Sequence, residues 1–130
     1  MDKLNINNLI IATGAFSACI AVAAGAFAAH GLKETLSIEY LATFKTAADY
    51  QIVHSIGLIV IGILNQQNSN RCNIASAIFM ISGILLFSGS LYTLTLTGIK
   101  WLGFITPVGG TFFLIAWLTL GFNYLLQKDS

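Results

Sequence analysis

The chain has 130 residues, of which 56% are hydrophobic and 8% charged, and its formal net charge is +1. Soluble domains carry about 25% charged residues, so a water-soluble fold could not cover this surface, whereas a membrane protein has lipid as its outer solvent. With so little net charge and no basic stripe, the composition excludes a nucleic-acid or polyanion binder.

Crossing a bilayer takes about 20 predominantly apolar residues, and in hydrocarbon a run of that length satisfies its backbone as a helix. The first predicted helix covers residues 9–29 and contains no charge. Its AFA (26–28) and FSAC (16–19) look like cleavage signals. Signal cores are usually about 7–15 residues, however, and here the apolar run continues well past Cys19, so a retained span is expected. Thr13, Ser17, Ala21, Gly25 and Ala29 recur every four residues, with Gly14 and Ala18 beside them. Such a small edge lets another helix approach closely in lipid, and a neighbour in the same bundle is the expected partner. His30–Gly31 reads as the helix stop, since glycine and histidine both favour helix C-termini.

In the long link that follows, Leu36, Tyr40, Phe44 and Ala47 form a helical stripe. An amphipathic helix resting on the headgroups is expected there, with Lys45 and Asp49 paired at the membrane edge. The second span is predicted at 47–64. Tyr50, Gln51 and His54 are spaced to touch one another, and His54 would lie about 10 Å into the membrane at 1.5 Å per residue. An ionisable residue inside a membrane is a functional candidate by default. Its alternative is a neutral imidazole bonded to Ser88 or Tyr92, worth about 0.6–2 kcal/mol as interhelical glue.

NQQNSNRCN (65–73) reads as an uncharged-polar turn, and Cys19 and Cys72 as free thiols. A third span is predicted at 74–96, where Ser88, Tyr92 and Thr95 form one stripe and Gly89, Thr93 and Thr97 a small edge. TGIKWLGF is a tight link, with Lys100 and Trp101 at the headgroups. The fourth span, 106–126, has Thr106 as N-cap and Pro107 in the first turn. Gly109 and Gly110, poor helix formers, suggest close approach of another backbone there.

The expected architecture is all-α: a single four-helix transmembrane domain over residues 1–130, with both ends on one side. Lys3, Arg71 and Lys128 balance Lys33, Lys45 and Lys100, so the positive-inside count is tied. By depth, His30, Tyr50, Gln51, His54, Ser88, Ser90, Tyr92 and Thr106 gather in one leaflet as a candidate polar half-cavity. Ser17, Ala21, Gly25, Ala29, Gly89, Gly109 and Gly110 are the candidate packing residues. Two histidines fall short of the three or four ligands zinc needs, so no metal is expected. No P-loop, GxSxG, HExxH or dinucleotide fingerprint marks an enzyme or a cofactor. The expected function is that of a non-enzymatic accessory protein packing against membrane lipids, other membrane proteins or a second copy of itself. The alternative is a small transporter or channel-like protein built around His54.

GAFAAHGL (25–32), FKTAADYQIVHSIGL (44–58), SGSLYTLTLTG (88–98) and ITPVGGTFFLIAW (105–117) together resemble the YgdD-like family of small membrane proteins. That family is a domain of unknown function similar to eukaryotic transmembrane protein 256. The resemblance covers nearly the whole chain and departs at Ala28, where the family usually has glycine. It implies a four-helix bacterial inner-membrane protein and brings no substrate, reaction or cofactor. The motif residues include His30, Tyr50, Gln51, His54, Ser88, Ser90, Tyr92 and Thr106.

Overall fold

A computed structural model describes residues 5–128; Lys3, one of the charges in the orientation count, lies outside them. Four helices account for most of the described residues: α1 (Ile6–His30), α2 (Ile38–Gln67), α3 (Arg71–Thr97) and α4 (Thr106–Leu125). All four are long and apolar enough to cross a membrane. A short 3₁₀ turn, Lys100–Phe104, precedes α4.

Side chains set the starts of three helices. Asn5 Oδ1 accepts from Asn7 N–H at 2.9 Å, Ser37 Oγ from Tyr40 N–H at 3.1 Å, and Asn70 Oδ1 from Asn73 N–H at 2.9 Å. Each fills a donor that the first turn leaves open. α1 stops at His30, where Gly31 N–H donates back to Phe27 O at 2.8 Å. α3 stops at Gly98, whose φ of 74° is a left-handed cap that suits glycine. α4 departs from expectation. Ile105, not Thr106, occupies its cap position, without a side-chain bond. Val108 and Gly109 N–H bond instead to Ile105 O at 3.0 and 3.3 Å, which leaves the Thr106 hydroxyl free to bond elsewhere.

The amphipathic stretch is not a separate interfacial helix; it forms the opening turns of α2. Phe44 is buried against Ala28 and Leu32, so the stripe expected to face headgroups faces α1. Sequence periodicity marks an apolar face and leaves open whether lipid or protein takes it. With α2 starting at Ile38, His54 lies about 24 Å along it, close to mid-span rather than near the rim. Asp49 moves inward with it, away from the expected membrane edge.

α1 packs along α2, α3 along α4, and α2 along α3. Leu58, Ile61, Met80, Ile84 and Phe113 form the central apolar core. The seam of α1 runs through Ile10, Gly14, Ala21 and Ala28, all buried. Steps of four advance about 40° around a helix each time, whereas a seven-residue repeat keeps its face toward a neighbour. The expected small edge therefore winds off the contact: Ser17 and Ala21 meet α2, but Ala29 is exposed and Gly25 has open space beside it. Gly89 likewise has no neighbour where a Cβ would stand, and Gly110 has ordinary contact with the Phe87 ring.

Gly14 and Gly109 mark the closest approaches to the backbone of another helix. A Cβ on Gly14 would stand 2.7 Å from Ser55 O, and one on Gly109 would collide with the backbone of Leu86 and Phe87. The latter contact falls on a π-helical turn in α3, Ile84–Ser88, where Gly89 N–H bonds to Ile84 O. A widened turn of this kind rotates everything beyond it. We expect Gly109→Ala to destabilise the fold by about 1–3 kcal/mol through overpacking, and Gly25→Ala and Gly89→Ala to stay within about 1 kcal/mol of wild type or above it. Unfolding titrations in mixed micelles provide the check.

Candidate functional site

The residues expected in one polar half-cavity separate into four settings. Gln51 joins three helices. Its amide nitrogen donates to Ser17 O at 3.1 Å and Ser17 Oγ at 3.2 Å, and its oxygen accepts from Tyr92 O–H at 2.7 Å. Ser55 extends the chain, its hydroxyl lying 2.7 Å from Ser17 Oγ and 2.6 Å from Gln51 O. α1, α2 and α3 are thus tied near the middle of the membrane, with Gln51 and Ser55 buried.

His54 belongs to a different group. Its Nδ1 bonds to Tyr50 O one turn back on the same helix; a carbonyl only accepts, so Nδ1 carries the proton. The imidazole lies flat on Phe113, centroids 3.5 Å apart and planes 13° apart, with Tyr50 and Trp117 at 5.9 and 5.8 Å. Neither Ser88 nor Tyr92 is its partner. Beside it is a recess of about 200 Å³ bordered by Asp49, Tyr50, Val53 and His54.

Ser88 and Ser90 follow the π-turn and face different helices. Ser88 Oγ donates to Ala47 O on α2 at 2.7 Å, and Ser90 Oγ meets Thr106 Oγ1 on α4 at 2.7 Å. His30 stands apart, exposed in the last turn of α1.

Polar chemistry is not confined to that half. At the opposite end, Asn65 Nδ2 donates to Asn7 Oδ1 at 2.6 Å while its Oδ1 accepts from Asn70 N–H at 3.1 Å. Asn73 Nδ2 donates to Tyr124 Oη at 3.2 Å, and its Oδ1 accepts from Asn123 Nδ2 at 3.1 Å. This layer touches all four helices. The expected polar turn folds inward, signalled only by asparagines that continue into apolar helices. Among the described residues every buried side-chain nitrogen or oxygen has a hydrogen-bond partner, and no group of three or more His, Cys, Asp or Glu is placed to hold a metal.

Between α1 and α3 the bundle is open. A groove of about 340 Å³ runs past Thr13, Ser17, Ile20, Gln51, Ile81 and Leu85. It continues through Ile20 toward Phe27 and Leu96, and through Thr13 and Ile81 toward Ile6 and Ile74. The walls are apolar along nearly the full span, and α2 supplies the floor.

Replacing one partner of a buried hydrogen-bond network strands the others, at about 1–3 kcal/mol each. Gln51→Leu should therefore cost about 1–3 kcal/mol, and adding Tyr92→Phe should cost less than the sum of the single changes. His54→Phe, which keeps the stack on Phe113, should remain near wild type while His54→Ala loses about 2–4 kcal/mol. Equilibrium unfolding of the five variants, the double change included, in mixed micelles measures these differences.

Comparison with known proteins places the chain. A family model described as "Protein of unknown function (DUF423)" matches residues 24–110. A UPF0382 membrane protein of Staphylococcus epidermidis is 46% identical over 112 residues, covering 86% of this chain and 91% of the relative. The UPF0382 membrane protein YwdK of Bacillus subtilis is 42% identical over 113 residues, covering 86% and 92%. No solved structure matches. With four spans, a model match across most of its length and relatives that are themselves membrane proteins, the chain belongs to the DUF423 family of small integral membrane proteins.

Proposed function

We propose that the protein is a non-enzymatic accessory protein of the bacterial inner membrane that seats other membrane components, lipids or membrane proteins, against its outer surface. The α1–α3 groove carries this reading. α1 is held mainly by α2, so one side of the bundle presents an apolar groove between α1 and α3. Membrane components associate through van der Waals fit of this kind, because lipid removes the hydrophobic drive between helices.

The polar residues support the same reading. Gln51, Ser17, Tyr92, Ser88, Ser90 and Thr106 spend their hydrogen bonds on one another or on neighbouring backbones. His54 is bonded to its own helix and stacked on an aromatic ring. Groups arranged in this way hold helices together.

Extraction of the native protein into lipid nanodiscs, followed by mass spectrometry of what travels with it, tests the proposal. A specific lipid or protein should be retained, and Ile81→Trp, which fills the groove, should reduce its retention at least threefold. Recovery of bulk lipid composition and no protein, unchanged by Ile81→Trp, would count against the reading.

A further inference from the structure

The outer face of α2 poses a problem that the bundle itself does not solve. Gln51, Ser55, Leu58 and Gly62 define the buried face. Opposite them stand Thr46, Asp49, Val53, Ile56, Val60 and Ile63, all exposed. Their spacing alternates three and four residues, the pattern of a left-handed helix–helix seam. Every position is β-branched except Asp49. The middle of α2 falls between residues 52 and 53, so Asp49 lies about 5 Å from it and well inside a hydrocarbon core about 30 Å thick. The hydrogen bond from Gln51 to Ser17 at the middle of α1 gives the same depth. A carboxyl aimed at acyl chains there is costly, and such groups face protein or water instead.

A second copy of the chain supplies what is missing. Lys45 shares the exposed face, one turn from Asp49 toward the start of α2. Copies inserted with one orientation and related by a twofold axis along the membrane normal bring their α2 helices together parallel and at equal depth. Each Asp49 then lies beside the partner's Lys45 as well as the partner's Asp49, and the four charges sum to zero. The face is therefore self-complementary in depth and charge.

We propose that the protein forms a parallel homodimer along α2, with Asp49 and Lys45 as its polar layer and Val53, Ile56 and Val60 as its apolar seam. This inference rests on the reading that the outer surface seats membrane components, and it names one of them.

Full-length protein in vesicles, with Cys19 and Cys72 replaced by serine, tests it by oxidative crosslinking. V53C and V60C should give at least tenfold more disulfide-linked dimer than L114C, which is exposed on α4 away from the groove. In dilution-dependent energy transfer between labelled copies, Asp49→Leu and Asp49→Asn should each weaken association about tenfold. The exchanged pair Lys45→Asp with Asp49→Lys should restore it. Equal crosslinking of V53C and L114C, or association indifferent to Asp49, overturns the dimer. Crosslinking of V53C to a different protein in native membranes also overturns it, yet leaves the accessory reading standing. Failure of both the dimer and the nanodisc recovery removes both.

Discussion

Hydrocarbon offers no hydrogen bonds, so the amide of Gln51 at mid-span must find every partner within the protein. It does so across three helices, donating to Ser17 and accepting from Tyr92. That requirement fixes how α1 and α3 sit on α2. Ser17 must face inward, which turns Gly14 and Ala21 into the contact and Ala29 out of it. Tyr92 must reach α2 from beyond the π-turn. The pairing at Gly14 follows, because α1 is drawn close enough that a Cβ would meet Ser55 O at 2.7 Å.

Two polar layers bracket an apolar stretch of the bundle. The asparagine layer locks the end where α2 turns into α3, and the Gln51 and Ser88–Ser90 bonds lock the other half. Between them Leu58, Ile61 and Met80 pack without exposure. His54 stands at the edge of this arrangement, its ring used as an aromatic surface against Phe113. α1 is secured only on its α2 side, and the long groove against α3 results. Function in this molecule is therefore read from its outer faces, where bonding is incomplete, more than from its interior, where bonding is closed.

The four spans were legible because twenty-residue apolar runs have few physical outcomes. The polar residues that matter were also visible, since a glutamine or histidine in such a run stands out. Their partners were not. Ser88 bonds to the carbonyl of Ala47, and a backbone acceptor has no residue-type label. His54 bonds to its own helix for the same reason. The π-turn carries no sequence mark, yet it decides that Ser88 faces α2 and Ser90 faces α4. The depth of Asp49 depended on where α2 begins, and an amphipathic stripe cannot tell lipid from a neighbouring helix. The asparagine layer looked like a turn because its partners, Asn7 and Asn123, lie far away in sequence.

The central claim is that the polar groups in the bundle interior are bonded within the protein and dry. Water-edited solid-state NMR of the ¹⁵N-labelled protein in bilayers addresses it directly, by following magnetisation from water to the Gln51 amide and the His54 Nδ1 proton. The account predicts transfer to both as slow as to the apolar core at Leu58, with the His54 proton on Nδ1. Rapid transfer to both sites, as at the exposed His30, would show a hydrated cavity and contradict it.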